Sequence, residues 1–402
     1  MTAPTTPPSS HGRPRSFLAR RYDTGEPVRI VLDGSQIAAV EPAWPEEPLG
    51  DWPFVAPGLF DLQINGYGGV WFADRTLTAE RATAAIEAFL AHGVTRLCPT
   101  LITSSFETLA AGFKGIRLAC EAQSRVDAIV AGCHLEGPYL SGEDGPRGAH
   151  PRAHIRPADW DEFCELQKIS GERIRLVTIA PEVPHALEFI RRAVDGGVAI
   201  AIGHTAATGD QIGAAVDAGA TLSTHLGNGA HPVLRRHPNY IWEQLGEARL
   251  SASLIVDGWH LPDSVVRAMV ASKSAARSIL TCDASGWAGC TPGTYENELG
   301  KVEVLESGRI VVAGQDQLLA GSGSTTEECV AQMVRCGAAS LREAVDMACR
   351  NPARLLGFRE QRLVSGDRAD LLLFRHRLAD SQIEVTATVQ GGILRFGVIA
   401  GG

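Results

Sequence analysis

The feature that most constrains the fold is a short apolar segment followed by an amphipathic one, repeated from Pro57 to about Leu356. Buried strands that alternate with helices indicate parallel βαβ units. Eight strands are predicted, at Leu59–Gln63, Val94–Pro99, Ile129–Glu136, Ile174–Ile179, Val198–Gly203, Leu222–His225, Ala252–Asp257 and Ile279–Asp283. Helices are expected between them, for example at Thr78–His92, Phe106–Ala122, Pro184–Asp195, Gly209–Ala218 and Pro262–Ser272.

Eight βα units favour an α/β fold closed into a (β/α)8 barrel of the TIM type. An open, doubly wound sheet is the competing interpretation. The chain has 402 residues, which is enough for a barrel and a small second domain. We therefore predict that residues 57–357 form the barrel.

The two ends of the chain have a different pattern. Val28–Val40 contains two short strands around Asp33-Gly34, a turn signal for a hairpin, and Leu371–Phe374 and Val385–Phe396 are also strand-like. We predict that residues 17–56 and 358–402 pair into one small β domain, a β-sandwich beside the barrel.

A further hairpin is expected after the eighth strand, from Val302–Leu305 and Ile310–Val312.

Composition limits the cellular setting and the partners. Residues 1–16 are rich in Pro, Ser and Thr without an apolar run, so we expect a disordered tail and no signal peptide. No stretch approaches the roughly 20 apolar residues of a membrane-spanning helix. The net charge of −9 argues against nucleic-acid binding, and nine cysteines without a CxxC pair argue against a disulfide framework. A cytoplasmic protein is expected.

Acidic and imidazole side chains recur at the carboxyl ends of the predicted strands, where barrel enzymes carry their catalytic groups. Glu136, His225 and Asp283 end strands three, six and eight, and His204 and His260 follow strands five and seven. Two imidazoles and one carboxylate make a zinc site that leaves a position for water, and a second carboxylate can then move protons. Each residue alone could be a satisfied loop residue or a helix cap, but five at one barrel mouth predict a metal site.

Short motifs surround these residues. They are His134-Leu135-Glu136-Gly137-Pro138-Tyr139, Gly203-His204-Thr205, Thr224-His225-Leu226-Gly227-Asn228, Asp257-Gly258-Trp259-His260 and Thr281-Cys282-Asp283-Ala284. Together with Pro57-Gly58-Leu59-Phe60-Asp61, Asn351-Pro352-Ala353-Arg354 and Ala369-Asp370-Leu371, they resemble N-acetylglucosamine-6-phosphate deacetylases of the amidohydrolase superfamily. The resemblance spans nearly the whole chain after the tail.

The resemblance implies roles for particular residues. Glu136, His204 and His225 would bind one Zn²⁺ per chain, or another divalent cation. Asp283 would be the general base and acid, and His150 would help to polarise the acetyl carbonyl. The implied substrate-binding positions are Ala149, His150, Asn228, Gly229, Arg236, Asp257, His260, Leu319, Ala320 and Gly321. A homodimer is implied as well, in which Arg236 and His260 could serve the neighbouring subunit's site.

Two departures from related sequences affect these expectations. Many amidohydrolases have His-x-His at the end of the first strand, which holds a second metal, whereas this chain has Gln63-Ile64-Asn65. A single metal is therefore expected. After strand six the family usually has Asn-Ala-Met, whereas this chain has Asn228-Gly229-Ala230-His231-Pro232. The following Arg235-Arg236-His237 could still hold a phosphate, or could be a solvated basic loop.

The function implied is metal-dependent hydrolysis of the acetamide of N-acetylglucosamine 6-phosphate, which gives glucosamine 6-phosphate and acetate. One alternative is an amidohydrolase that acts on an unphosphorylated N-acetyl sugar or another N-acyl compound. The alternative from another class is a non-catalytic barrel that serves as a binding module.

Overall fold

The computed structural model describes residues 16–44, 52–297, 300–377 and 382–399. The expected disordered tail thus lies outside the described residues, except for Ser16, which begins the first strand. None of the helices in these ranges is long and apolar enough to cross a membrane.

The centre of the molecule is a parallel barrel. Its strands are β5 (Leu59–Ile64), β8 (Val94–Ile102), β9 (Cys133–Glu136), β10 (Ile174–Ile179), β11 (Ala199–Ile202), β12 (Leu222–Ser223), β13 (Ser251–Ile255) and β14 (Ser278–Thr281). Each strand pairs in parallel with the next in chain order. A parallel bridge between Ile64 and Ala284 joins the first strand to the segment after the eighth. The predicted barrel is therefore confirmed, and the alternative of an open sheet is wrong.

Helices surround the barrel. They are α1 (Ala79–Ala88), α2 (Phe106–Ala122), α3 (Ser124–Ile129), α4 (Trp160–Ser170), α5 (Ala186–Asp195), α6 (Gly209–Asp217), α7 (Tyr240–Gly246), α8 (Asp263–Lys273), α9 (Thr326–Arg335), α10 (Leu341–Met347) and α11 (Arg350–Leu355). Side-chain caps set several starts, because a hydroxyl accepts from a backbone N–H that the first turn leaves unpaired. Thr78, Ser105 and Thr208 do this for α1, α2 and α6. The five predicted helices are confirmed within one or two residues, if the short 3₁₀ turn Phe89–His92 is counted with α1.

Strands three, five, six, seven and eight are shorter in the structure than predicted, and strands three and six show two different reasons. Strand three was expected from Ile129, but α3 ends there and β9 begins at Cys133. An apolar run of this length suits a buried helix as well as a strand, so its composition did not separate the two. Strand six was expected to reach His225, but β12 ends at Ser223, and His225 has a φ of 27°, which a strand does not allow.

Both chain ends contribute to one small β domain, as predicted. Its strands are β1 (Ser16–Arg21), β2 (Pro27–Asp33), β3 (Gln36–Pro42), β4 (Phe54–Pro57), β19 (Leu371–Arg377), β20 (Gln382–Gln390) and β21 (Ile393–Gly397). Hydrogen bonds join all seven into a single sheet, in the order β21-β20-β19-β4-β1-β2-β3. The limits drawn in the sequence between this domain and the barrel remain a prediction.

Two smaller sheets complete the fold. The expected hairpin after strand eight is part of a four-stranded antiparallel sheet of β15 (Gly293–Asn297), β16 (Gly300–Val304), β17 (Ile310–Val312) and β18 (Gln315–Leu319). A short hairpin of β6 (Gly66–Tyr67) and β7 (Val70–Trp71) follows β5.

The interior of the barrel is apolar in one half and polar in the other. One buried apolar cluster takes residues from six barrel strands and α11, namely Phe60, Leu62, Cys98, Leu176, Ala201, Leu222, Ile279 and Ala353. Buried polar groups lie towards the carboxyl ends of several barrel strands, among them Gln63, Thr100, His134, Glu136 and Thr178. The polar half is at the carboxyl ends of the strands, which is where a barrel places its chemistry.

A buried carboxylate ties the first strand to the eighth. Asp61 is fully buried in β5 and accepts hydrogen bonds from the backbone N–H of Gln63 and Cys282 at 2.9 Å each. It also accepts from the hydroxyls of Thr281 and Thr326, at 2.5 and 2.7 Å. Burying a carboxylate is unfavourable without such partners, so this group depends on closure of the barrel and in turn holds it.

We predict that Asp61→Ala lowers the free energy of unfolding by at least about 3 kcal/mol, because it leaves several buried donors without an acceptor. Urea denaturation of both proteins measures the change. The control is Glu165→Ala, at an exposed carboxylate on α4, which should change stability by less than about 0.5 kcal/mol. A loss below about 1 kcal/mol for Asp61→Ala would contradict its role in closure.

Candidate metal and catalytic site

Three ligand-type side chains from three strands meet at the barrel mouth. Glu136 is the last residue of β9, and His204 and His225 each follow the end of β11 or β12 by two residues. Their side chains are buried. Glu136 Oε1 lies 3.0 Å from His225 Nε2 and 3.3 Å from His204 Nε2, and the two Nε2 atoms are 3.1 Å apart. The three predicted ligands are therefore brought together.

The three atoms fit one small divalent cation. They form a nearly equilateral triangle with edges of 3.0–3.3 Å. A tetrahedral zinc site with bonds of about 2.0–2.1 Å has ligand-to-ligand distances of about 3.3–3.4 Å. One carboxylate and two imidazoles are also a donor set that zinc accepts while leaving a position for water. Among the described residues, this is the one group of three or more His, Cys, Asp or Glu side chains placed to bind a metal.

Neighbouring groups orient these ligands. His204 Nδ1 donates to the carbonyl oxygen of Pro146 at 2.9 Å, which leaves the lone pair on Nε2 facing the cluster. Gln63 Nε2 donates to Glu136 Oε1 at 2.8 Å. Burial alone would raise the pKa of Glu136, but the adjacent side chains of His204 and His225 hold it well below its usual range. The carboxylate is therefore ionised, as a metal ligand must be.

The backbone at the site is held in an unusual conformation. His204, His225 and Asp283 have φ angles of 49°, 27° and 51°, in a region that residues other than glycine seldom adopt. Each of the three follows the end of a barrel strand by two residues. Backbone of this kind persists where the surroundings enforce it, and it turns these side chains over the barrel mouth.

Asp283 lies in the same polar region. Asn65 Nδ2 donates to Asp283 Oδ1 at 2.7 Å, so the first strand orients the carboxyl. Burial, and then the nearby charge of Glu136, raise the pKa of Asp283 to about 7. Gln63 and Asn65 thus contact a predicted ligand and the predicted base, in the place where many amidohydrolases have a His-x-His metal motif.

His150 adjoins the cluster from the loop after β9. Its Nε2 lies 3.2 Å from His204 Nε2, and its Nδ1 lies 2.8 Å from the hydroxyl of Thr103. Burial, and then the proximity of His204, depress the pKa of His150 well below its usual value. The imidazole is therefore neutral near pH 7.

The predicted substrate-binding residues fall into several groups. Gly229 lies against the ring of His204, where a Cβ would come within 2.7 Å of Nδ1, and Asn228 precedes it. Ala149 is exposed beside His150. The segment Leu319, Ala320 and Gly321 runs next to the loop after β14, since Gly321 packs on Ser285.

Two of the predicted substrate residues are not joined to the cluster. Arg236 is exposed on the loop between β12 and α7, and no hydrogen bond or ion pair within the described ranges connects it to the three ligands. His260 Nδ1 donates instead to Asp257 Oδ2 at 2.6 Å, and Asp257 Oδ1 accepts from the backbone N–H of Trp259 and His260. The contact between Asp257 and His260 therefore stabilises the loop after β13 and does not reach the metal-ligand cluster.

The sequence analysis missed the residue that fixes the loop after His204. Glu182 Oε1 accepts from the backbone N–H of Ala206 at 2.6 Å, and its Oε2 accepts from the hydroxyl of Thr205 at 2.5 Å. Glu182 follows β10 by three residues. The available signal was an acidic residue shortly after strand four. That strand lies between the strand of Glu136 and the strand before His204, and no polar group had been assigned to its end.

Comparisons with known proteins agree with this geometry. A model of the Amidohydrolase family matches residues 54–401. The chain is 33% identical over 352 residues to the N-acetylglucosamine-6-phosphate deacetylase of Bos taurus, covering 85% of this chain and 83% of that protein. It is 32% identical over 327 residues to the N-acetylgalactosamine-6-phosphate deacetylase of Escherichia coli O157:H7, covering 81% and 84%.

A solved structure shows the same fold over almost the whole chain. The crystal structure of N-acetyl-D-glucosamine-6-phosphate deacetylase from Mycobacterium smegmatis superposes with a TM-score of 0.82 at 33% identity, covering 94% of this chain and 99% of that chain.

We predict that Glu182→Ala weakens zinc binding by about 10–100-fold, because the backbone after His204 loses two hydrogen bonds that fix the imidazole. Competition with a chelator of known zinc affinity measures this, and wild type should hold about one equivalent per chain. Glu188→Ala, at an exposed residue of the neighbouring α5, is the matched control and should bind like wild type. Unchanged zinc affinity in Glu182→Ala would show that the loop does not depend on this carboxylate.

Proposed function

The chain belongs to the amidohydrolase family and, within it, to the N-acetylglucosamine-6-phosphate deacetylases, and from this membership we propose that it hydrolyses N-acetylglucosamine 6-phosphate to glucosamine 6-phosphate and acetate. The observation that carries the proposal is the convergence of Glu136, His204 and His225 at one barrel mouth, with Asp283 and His150 in the same buried polar region. Family membership and this intact cluster favour an enzyme over a non-catalytic barrel.

We propose one zinc ion per chain, held by Glu136, His204 and His225. A divalent cation at such a site lowers the pKa of water and polarises a carbonyl oxygen. The single site is supported by Gln63 and Asn65, whose amide groups donate to Glu136 and Asp283. An amide nitrogen, unlike an imidazole nitrogen, has no lone pair available to a metal, so neither residue supplies the nitrogen ligands of a His-x-His motif.

Asp283 is proposed to move the proton. Its carboxylate accepts a proton from the water that attacks the acetyl carbon, and returns it to the amide nitrogen as the C–N bond breaks. Asn65 holds one oxygen of this carboxylate, which limits the orientations of the other. The products that leave are then the free amine and acetate.

His150 is proposed to bind the acetyl carbonyl oxygen. The imidazole is neutral, so it can donate one N–H while its other nitrogen faces Thr103. A hydrogen bond that strengthens as the carbonyl oxygen gains charge lowers the barrier to attack.

We further propose a homodimer in a cytoplasmic setting. Three large apolar side chains are exposed on or near the loops at the barrel mouth, since Val233, Trp242 and Trp259 are 86%, 54% and 51% exposed. A second subunit that covers these loops would bring Arg236 and His260 close to a neighbouring site. The nine cysteines are all unpaired, which supports a reducing compartment.

We predict that Asp283→Asn keeps the fold and most of the zinc but lowers kcat by at least ~10²-fold, because an amide cannot accept the proton. Steady-state acetate release and metal analysis on the same preparation separate the two effects. The matched control is Asp263→Asn, at the start of the outer helix α8, which should turn over like wild type. Near wild-type kcat in Asp283→Asn would assign the proton transfer to another residue.

The proposed contact between Arg236 and the substrate phosphate can be tested by substitution. Arg236→Ala should lower kcat/KM for N-acetylglucosamine 6-phosphate. The fall should correspond to a loss of roughly 1.5–3 kcal/mol in transition-state binding, the value of a charge-assisted hydrogen bond. It should barely change kcat/KM for unphosphorylated N-acetylglucosamine, which gives the guanidinium nothing to hold. Arg235→Ala, at the neighbouring exposed arginine, is the control. N-acetylgalactosamine 6-phosphate belongs in the same series, because one relative carries that name.

Two results would contradict the phosphate assignment. In the first, wild type does not prefer the phosphorylated sugars. In the second, Arg236→Ala lowers kcat/KM equally for the phosphorylated and the unphosphorylated sugars. The substrate would then be an unphosphorylated N-acetyl sugar or another N-acyl compound.

A further inference from the structure

The hydroxyl group of Thr103 lies behind the imidazole of His150. Thr103 directly follows the last residue of β8 and is fully buried. Its Oγ1 lies 2.8 Å from His150 Nδ1 and 3.4 Å from the backbone carbonyl oxygen of Glu136. Gly137 makes room for the hydroxyl, since a Cβ at that position would come within 2.2 Å of Oγ1. Either Thr103 or His150 is the donor in the short contact, because a hydroxyl and a ring nitrogen can each take both roles.

The donors and acceptors around His150 are fixed from the other side of the ring. The carbonyl oxygen of Pro146 can only accept, so His204 Nδ1 carries a hydrogen and donates to it at 2.9 Å. As a metal ligand His204 is neutral, which leaves a lone pair and no hydrogen on its Nε2. His150 Nε2 lies 3.2 Å from that atom. The hydrogen between the two rings therefore belongs to His150.

The same hydrogen decides what Thr103 does. The ring nitrogens of His150 face Thr103 and His204 rather than a carboxylate, so the buried imidazole is neutral and carries one hydrogen. With that hydrogen on Nε2, Nδ1 has only a lone pair, and Thr103 must donate to it. The distances agree, because 2.8 Å is an ordinary hydrogen-bond length, whereas 3.4 Å to the Glu136 carbonyl is long.

The place of the ring does not depend on Thr103 alone. Arg147 Nη1 donates to the backbone carbonyl oxygen of His150 at 2.8 Å and so holds the loop that carries the ring. The Thr103 hydroxyl instead selects between the two tautomers of a neutral imidazole. A ring nitrogen that accepts from the hydroxyl cannot carry the ring hydrogen, so the hydrogen stays on the other nitrogen.

We propose that Thr103 is a positioning residue that keeps the ring hydrogen of His150 on Nε2, the nitrogen that faces the metal ligands. This rests on the proposed function, in which that N–H donates to the acetyl carbonyl oxygen. Without the hydroxyl, Nδ1 can carry the hydrogen, and Nε2 then turns a lone pair towards an oxygen that also has only lone pairs. A donor that acts on the developing charge is lost while the ring stays in place, so turnover suffers more than substrate binding.

The first test separates kcat from KM. Thr103→Val keeps the shape of the side chain and removes the hydroxyl. We expect it to lower kcat for N-acetylglucosamine 6-phosphate at least about tenfold and to change KM less than about threefold. Thr103→Ser restores the hydroxyl and should recover most of kcat. Thr95→Val is the matched control on the same strand and should turn over like wild type, because the buried Thr95 hydroxyl has no hydrogen-bond partner among the described residues.

A second measurement asks whether Thr103 acts through His150. In the His150→Ala background the ring is absent, so adding Thr103→Val should lower kcat by less than about twofold. An equal loss in both backgrounds would show that Thr103 acts independently of the imidazole, and the proposal would be wrong.

The ring hydrogen can also be located without turnover, by NMR of the full-length, zinc-loaded protein labelled with ¹⁵N in its histidines. Protonated and unprotonated ring nitrogens resonate separately, and His150→Ala identifies the signals of His150 among the 12 histidines. We expect the Nε2–H tautomer in wild type and Thr103→Ser, and a mixture of tautomers or the Nδ1–H form in Thr103→Val.

Two NMR results would overturn the proposal. In one, His150 of the wild type carries its hydrogen on Nδ1. In the other, Thr103→Val keeps the hydrogen wholly on Nε2. Because the tautomer is observed without substrate, either result stands even if the protein proves to hydrolyse a different amide, and a failure of the proposed function would show only in the kinetics.

Discussion

The structure depends on three polar residues in and directly after the first barrel strand. Asp61 and Gln63 lie in β5, and Asn65 follows its last residue; all three are buried. Asp61 receives hydrogen bonds from the eighth strand and α9, Gln63 reaches Glu136 on the third, and Asn65 reaches Asp283 after the eighth. This segment thus helps to hold the barrel closed and contacts both the Glu136 cluster and Asp283. The positions of these proposed catalytic groups are therefore coupled to closure of the sheet.

The same strand explains how a site of this superfamily can operate with fewer imidazoles. Where His-x-His would place two more metal ligands, Gln63 and Asn65 place amide donors against carboxylates that are already present. A donor on Glu136 favours its ionised form, and a donor on Asp283 limits its rotation. Gln63 and Asn65 therefore act through hydrogen bonds to the proposed metal ligand and the proposed base. The remaining orientation comes from backbone groups, since the carbonyl of Pro146 determines which nitrogen of His204 faces the cluster.

Much of the fold and part of the site could be predicted because their signals are local. The limits of α2 follow from an apolar face of helical period and a cap at Ser105, both of which lie within one short segment. The segment from Ile129 to Gly132 was assigned wrongly, because an apolar run without period suits two structures. The cluster of Glu136, His204 and His225 was predictable as well, since parallel strands in a closed barrel bring their carboxyl ends to one face. The family motifs then selected these three from the other polar residues near strand ends.

The sequence by itself determined the repeat of strands and helices, the residues at the strand ends and the family to which they belong. Each of these is a property of residue type and spacing along the chain. Only the tertiary structure decided which partner each polar group has. Glu182 holds the loop after His204, and His260 turns to Asp257. The physical reason is that hydrogen bonding depends on distances of a few tenths of an ångström and on direction. Many of these contacts join residues far apart in the chain, and such geometry is fixed only when the whole barrel packs.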